Sequence, residues 1–228
     1  MIDFDIQNLF SFQIFGFEVW VTQTIVNTWI VMLVIVAGAL FLRFQLRHRA
    51  EAPKGIQNVA EFLVEASDGF VLSMGGPKAK FVGAWMFMSF IFILVSNLSG
   101  VLGIRPPTAD WATTLAMALA TFFLIQVAGI TNRGTAYLKN FLQPFFLFLP
   151  VNIIGELARP VSLSLRLFGN VVSGLILMSL LYGLTPLFIQ LGLPVFLHAY
   201  FDLFMGVLQT YVFCALSLAF IGAASAEE

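Results

Sequence analysis

Long apolar runs alternate with short charged segments along this chain. Three runs, residues 19–42, 81–104 and 111–132, contain no Asp, Glu, Lys or Arg. Each run meets the length of roughly 20 residues that an α-helix needs to cross a bilayer. We therefore predict membrane spans at about residues 20–42, 81–104 and 111–130.

Two further apolar segments, about residues 144–184 and 186–221, are longer than one crossing requires. At about 1.5 Å of rise per residue each helix would be about 50–60 Å long, against roughly 30 Å of hydrocarbon. Neither helix can stand upright in the membrane. We predict that both are steeply tilted, with Pro160 and Pro194 as candidate kink points.

Residues 56–74 have an amphipathic pattern. Apolar residues recur there at helical spacing, whereas Glu61, Glu65 and Asp68 take other faces. This pattern predicts a helix that lies along the cytoplasmic surface of the membrane rather than crossing it.

The distribution of charge predicts the topology. Basic loops stay in the cytoplasm, so the cluster at residues 43–54, with Lys78 and Lys80, marks the inner side. The acidic N-terminus is then outside, the chain crosses five times and the C-terminus is cytoplasmic. Because the basic residues follow the first apolar run, the reverse of a signal peptide, we predict no cleaved segment.

Composition narrows the class of protein further. Hydrophobic residues make up 60% of the chain and charged residues 10%, against roughly 45–50% and 25% in soluble domains. The fold class that we predict is an all-α polytopic membrane protein, with one membrane domain over residues 1–228. The net charge of −1 gives no indication of nucleic-acid binding, and Cys214, the only cysteine, excludes disulfides within the chain and a cysteine metal site. We predict no cofactor and no metal.

One cation stands out in the apolar second half of the chain. Between Arg166 and Glu227 the only formally charged side chain is Asp202. Arginine stays protonated in essentially any protein environment, and placing it at membrane depth is costly, so it indicates ion handling or a buried partner.

The remaining polar residues form two stripes. At 100° per residue, one stripe of roughly 100° runs along the fourth helix, and a second of roughly 40° runs along the fifth. Exposing either stripe to lipid is costly, so we expect the two to face each other or a common partner. The first stripe contains Glu156, Arg159, Arg166, Asn170 and Ser173, and the second His198, Asp202 and Gln209.

Other interpretations of these residues stay open at this point. Polar side chains in membrane helices often only hydrogen-bond neighbouring helices. Arg166 could form a structural ion pair with Asp202, Arg159 could extend to the membrane interface, and His198 could serve packing alone.

The run Glu156-Leu-Ala-Arg159-Pro160-Val-Ser-Leu-Ser-Leu-Arg166-Leu-Phe-Gly-Asn170 closely resembles the signature of subunit a of F-type ATP synthase. Three other features support this resemblance: the loop at 105–108, the Pro150-Val151-Asn152 segment, and Gln209.

The resemblance implies a fold in which two long tilted helices wrap a rotating ring of small hairpin subunits. It implies as partners this c-ring, the peripheral stalk b subunits, the remaining subunits of the complex and the lipid bilayer, in a bacterial-type plasma membrane. Arg166 would attract the ring carboxylate that loses its ion, and would block direct leakage between two offset half-channels. The chain has no Gly-x-x-x-x-Gly-Lys-Ser/Thr motif, so partner subunits would handle ATP.

The resemblance also assigns residues to the two half-channels. Asn152 and Glu156 lie on the cytoplasmic side of Arg166, and Asn170 and Ser173 on the external side. Asp202 serves the external half-channel, Gln209 lies near the level of Arg166, and His198 extends the external relay or only packs.

One departure accompanies the resemblance. Many family members carry glutamate where this chain has Leu175, so we expect Asp202 to supply the acidic group from the facing helix. The transported ion stays open between H⁺ and Na⁺. An independent secondary transporter or channel is the alternative function, although no internal repeat is evident, and a structural scaffold would leave Arg166 and Asp202 unexplained.

Overall fold

The structure, a computed structural model, describes residues 8–14, 17–46, 55–142, 145–186 and 192–226. A β-hairpin comes first, followed by helices and short 3₁₀ turns. The strands are β1 (Asn8–Ile14) and β2 (Phe17–Thr22), and the helices are α1 (Gln23–Gln45), α2 (Ile56–Gly75), α3 (Gly83–Leu98), α4 (Trp111–Arg133), α5 (Thr135–Asn140), α6 (Leu149–Leu184), α7 (Leu193–His198) and α8 (Gly206–Ser225). The 3₁₀ turns are Pro77–Val82, Ser99–Leu102, Pro107–Ala109 and Phe146–Phe148, and a π-helical segment, Ala199–Met205, joins α7 to α8.

Within these described residues, five helical segments are long and apolar enough to cross a membrane. They confirm the predicted all-α fold class of a polytopic membrane protein. The last two segments have 39 and 33 residues, so each exceeds the roughly 30 Å of hydrocarbon that one upright helix would cross. The five segments are Gln23–Gln45, Pro77–Leu102, Trp111–Arg133, Phe146–Leu184 and Leu193–Ser225.

The β-hairpin was not predicted from the sequence. β1 and β2 pair antiparallel, from Asn8 opposite Thr22 to Ile14 opposite Phe17. Aromatic and β-branched residues favour strands, and the uncharged residues 19–22 had appeared continuous with the first span. The first helix therefore begins at Gln23 rather than at about Trp20.

The fourth helix also begins later than predicted, whereas the predicted start of the fifth, at about residue 186, precedes residues 187–191, which lie outside the described residues. α6 starts at Leu149, after the 3₁₀ turn at Phe146–Phe148, and α7 starts at Leu193, with Pro194 in its first turn. Proline is favoured in the first turn because its missing N–H needs no partner there. Pro194 thus starts a helix, whereas Pro160 lies inside α6.

The centre of the bundle is α8, which packs against α2, α3, α4 and α6. Its apolar face buries Phe213, Leu218 and Ile221 completely. α2 reaches this core with its C-terminal end, where a Cβ atom added to Gly222 would lie 3.0 Å from the carbonyl oxygen of Gly75. The predicted amphipathic helix is therefore present, and its last turns pack on α8 while its first turns stay exposed.

Candidate functional site

Arg166 stands on the outward face of α6. Leu163 and Leu167, which lie about 60° and 100° around the same helix from Arg166, are 3% and 0% exposed and pack in a core cluster with Phe213 of α8. Arg166 therefore lies beside the buried face of α6 rather than within it, and its side chain is exposed. Among the described residues no carboxylate forms a salt bridge with Arg166, so the structural ion pair with Asp202 is not formed.

Asp202 lies in the π-helical segment and contacts His198. The Nδ1 atom of His198 is 2.5 Å from Oδ2 of Asp202, and the two side chains are 36% and 20% exposed. π-helical turns inside α-helices are rare and occur frequently at functional sites. The structure therefore joins two of the predicted site residues into one hydrogen-bonded pair.

A small cavity separates this pair from α6. Its volume is about 20 Å³, which is enough for about one water molecule. Polar groups from three helices line it: Asn97 of α3, Asn170 of α6, Asp202, and Gln209 of α8.

The two polar stripes meet at this small cavity. Nδ2 of Asn170 donates a hydrogen bond of 2.8 Å to Oε1 of Gln209, and Gln209 is only 3% exposed. A buried amide without a partner would cost free energy, so this bond fixes both side chains where α6 faces α8.

Asn97 is a site residue that sequence reasoning missed. Its Nδ2 atom donates to the carbonyl oxygen of Gly206 at 3.1 Å, and its Oδ1 atom accepts from the hydroxyl of Thr108 at 2.8 Å. Both side chains are buried. The signal was available, because Asn97 is the only Asn or Gln in the uncharged run 81–104.

Gly100 provides the space that Asp202 occupies. A Cβ atom added to Gly100 would lie 3.2 Å from both Cγ and Oδ1 of Asp202, which is tighter than ordinary van der Waals contact. The carboxyl group therefore packs directly on the backbone that follows α3.

A larger space, which we call the vestibule, opens at the N-terminal end of α6. Its volume is about 540 Å³, and Glu156 is the one carboxylate among its described lining residues. Burial, followed by the nearby Glu156 carboxylate, raises the pKa of Tyr137 above its ordinary value. The polar lining consists of Arg133, Tyr137, Asn140, Asn152, Glu156 and Arg159.

Asn152 and Glu156 both have partners in the vestibule. Nδ2 of Asn152 donates to the carbonyl oxygen of Phe141 at 2.8 Å. Oε1 of Glu156 lies 2.7 Å from Nη1 of Arg159. The two predicted residues thus share one polar space with Arg159.

A groove of about 220 Å³ continues from the vestibule to Arg166. Gly155 and Arg159 line both spaces. Ser162 and Arg166 line the groove but not the vestibule. The guanidinium carbon of Arg159 lies 5.1 Å from the ring centroid of Phe220. Arg159 therefore lies at the junction of the two spaces, held between α6 and α8.

Ser173 is not brought into the small cavity. Its hydroxyl donates to the carbonyl oxygen of Gly169 in the same helix, and the side chain is exposed. Asn170, Asp202, Gln209 and His198 thus come together on one side of Arg166, whereas Asn152 and Glu156 lie on the other. In the described parts of the chain, no group of three His, Cys, Asp or Glu side chains could hold a metal ion.

Comparison with known proteins gives a consistent result. The family model described as ATP synthase A chain matches residues 25–222. The "ATP synthase subunit a 2" of Acaryochloris marina is 38% identical over 208 residues, which are 89% of this chain and 85% of that protein. The "ATP synthase subunit a" of Moorella thermoacetica is 37% identical over 87% of this chain and 88% of its own length. The "ATP synthase subunit a, sodium ion specific" of Propionigenium modestum is 32% identical over 97% of this chain and 79% of its own length.

Proposed function

This chain belongs to the ATP synthase A chain family, and we propose that it forms two offset half-channels against the rotating c-ring of an F-type ATP synthase. As the ion-translocating stator subunit, it couples the flow of H⁺ or Na⁺ to the synthesis or hydrolysis of ATP. The observation that carries this proposal is that polar spaces lie on both sides of one exposed cation, Arg166.

The small cavity is the external half-channel in this proposal. Asp202, paired with His198, is the acidic group that receives the ion, and the bonded amides of Asn170 and Gln209 form the wall between Asp202 and Arg166. The vestibule and the groove form the cytoplasmic half-channel, in which Asn152 and Glu156 supply the polar lining. Ser173 lies outside the small cavity, on the exposed face of α6 that would meet the ring.

Arg166 separates the two routes by its charge. A fixed guanidinium favours ionisation of a carboxylate that comes close to it, and it repels a cation that would pass directly from one half-channel to the other. The ring carboxylate therefore loses its ion near Arg166 and accepts another on the other side. Exposed apolar residues around Arg166, including Val161, Leu165 and Leu177, give the ring a surface to slide on.

The setting follows from the topology. The chain would be one membrane domain in a bacterial-type plasma membrane. Its N-terminus would be outside and its C-terminus in the cytoplasm, because loops rich in Lys and Arg stay on the cytoplasmic side. The partners are the c-ring, the peripheral stalk b subunits and the remaining subunits of the complex. Nucleotide chemistry belongs to those partners.

Reconstitution tests the proposal against the alternative of an independent transporter or channel. We expect the chain alone in liposomes to conduct H⁺ and Na⁺ at the background rate, and the complete complex to take up ions when ATP is added. The reason is that neither half-channel spans the membrane, so the ring must carry the ion between them. Conduction by the chain alone at the rate of the complex would contradict the proposal.

Gly100→Ala should impair transport through a steric effect on Asp202. The new Cβ atom would lie 3.2 Å from the carboxyl group, which must then shift by a few tenths of an ångström, and we expect ATP-driven uptake per assembled complex to fall by about threefold to tenfold, since the transfer of an ion depends on the position of this group. Gly38→Ala on α1 is the matched control, because nothing lies within 4 Å of its added Cβ. Equal uptake by the two variants would show that transport does not depend on the space that Gly100 leaves for the Asp202 carboxyl group.

A further inference from the structure

Arg159 lies between the vestibule and the groove that Arg166 lines. It lines both the vestibule and the groove, as does Gly155. Seven residues of helix separate Arg159 from Arg166, which is about 10 Å of rise. The guanidinium of Arg159 therefore adds a second fixed positive charge to this route, before Arg166 is reached.

Two contacts hold this guanidinium at the junction. Nη1 of Arg159 lies 2.7 Å from Oε1 and 2.9 Å from Oε2 of Glu156, and its guanidinium carbon, Cζ, lies 5.1 Å from the ring centroid of Phe220 on α8. The side chain is 37% exposed and that of Glu156 is 18% exposed. A charge held by partners on two helices is not free to extend to the membrane interface, which was one interpretation of the sequence.

Glu156 carries the one negative charge among the described side chains that line the vestibule. Arg133 and Arg159 both line the vestibule, and Glu156 is the one carboxylate among the described residues of its lining. The phenol of Tyr137, which also lines the vestibule, has a raised pKa and carries no negative charge at ordinary pH. Loss of the Glu156 charge would leave the Arg159 guanidinium without the carboxylate that it contacts, and its charge would then repel H₃O⁺ or Na⁺ more strongly.

We propose that Glu156 and Arg159 form a charge-compensated gate, in which the carboxylate sets the electrostatic barrier that cations meet at Arg159. The inference rests on the proposed function, since it takes the vestibule to be part of an ion route. Glu156 affects ion passage by offsetting the charge of Arg159. Arg159 itself lines the ion route and does not extend to the membrane interface.

A double-variant experiment tests this gate in the complete complex. ATP-driven ion uptake is measured in vesicles, per amount of assembled complex, for wild type, Glu156→Gln, Arg159→Gln and the variant that carries both changes. We expect Glu156→Gln to lower uptake about tenfold, because a unit charge near the path is no longer compensated. The double variant should recover uptake to within about threefold of wild type, because the repelling charge is gone as well.

Ionic strength supplies a readout that a structural role would not affect. Uptake by Glu156→Gln should rise with added choline chloride, because mobile ions screen the exposed charge of Arg159. Near physiological salt the screening length is about 8–10 Å. Glu65→Gln on α2, which removes an exposed carboxylate away from the vestibule, is the matched control and should not respond.

Either of two results would overturn the gate. One is normal uptake per assembled complex by Glu156→Gln, and the other is a double variant as impaired as Glu156→Gln alone. Failure of the proposed function itself would be seen separately, as normal ATP-driven uptake by a complex that carries Arg166→Ala.

Discussion

Arg166→Ala is expected to abolish ATP-driven ion uptake in a complex that still assembles. Two unit charges about 4 Å apart interact by about 4 kcal/mol at an effective dielectric constant of about 20, and about 1.4 kcal/mol corresponds to a factor of ten. Loss of the attraction between Arg166 and the ring carboxylate should therefore lower uptake at least about 100-fold. The measurement is ATP-driven uptake in vesicles at matched amounts of assembled complex.

Assembly should survive this change because Arg166 is exposed and its neighbours Leu163 and Leu167 form the buried contact of α6. Arg166→Lys is the informative companion variant. A lysine keeps the charge but lacks the planar fork of the guanidinium and can lose its proton, so we expect partial uptake at most. Uptake by Arg166→Ala at the wild-type rate would show that the cation is structural.

Asp202→Asn is expected to have the second largest effect, lowering uptake at least about tenfold. The amide keeps the shape of the side chain and cannot bind and release a proton or attract a cation. His198 would lose the carboxylate that lies 2.5 Å from its Nδ1 atom at the same time, and the described lining of the small cavity holds no other carboxylate. ATP-driven uptake at a series of external pH values is the measurement.

Asp110→Asn is the matched control for this variant. Oδ1 of Asp110 caps α4 by accepting a hydrogen bond of 2.9 Å from the N–H of Ala112, and asparagine caps helices about as well as aspartate. The same chemical exchange should therefore leave uptake unchanged at position 110. Full ATP-driven pumping by Asp202→Asn would contradict the role assigned to Asp202.

The helices were predictable because length and the absence of charge determine which segments can cross a bilayer. The apolar segments Pro77–Leu102 and Trp111–Arg133 overlap the predicted spans 81–104 and 111–130, since charged or proline-rich segments bound both. The β-hairpin was not predictable in this way. Residues 19–22 are as apolar as the helix that follows, and the pairing of β2 with β1 depends on contacts between strands that hydropathy does not describe.

Some features of the candidate site were also predictable from the sequence, and others were not. Helical periodicity placed Asn170 and Gln209 on stripes that meet, and the structure joins them by a hydrogen bond. The π-helical segment around Asp202 could not be predicted, because no residue type signals it. Gly100 was missed because its role depends on the close approach of a distant helix.

Arg159 shows why position in the sequence is weaker evidence than geometry. Its location near one end of a membrane helix is typical of side chains that extend to the interface. In the folded chain the partner Glu156 and the ring of Phe220 retain it between two polar spaces. Phe220 lies 61 residues after Arg159 in the chain, so the spacing of residues near Arg159 contained no sign of this contact.

Accessibility of introduced cysteines from each side of the membrane tests the central claim most directly. Val171 lines the small cavity, and Gly155 lines the vestibule and the groove. A cysteine fits at position 155 because nothing lies within 4 Å of an added Cβ atom. The native Cys214 is 1% exposed, so the unmodified complex provides the background rate of reaction.

Silver ions bind thiolates and are small enough to enter such spaces, so block of uptake by silver ions added to one side reports access. We predict that Val171→Cys is blocked only by silver ions added outside, and Gly155→Cys only by silver ions added on the cytoplasmic side. Block of both variants from the same side would contradict two offset half-channels that meet at Arg166.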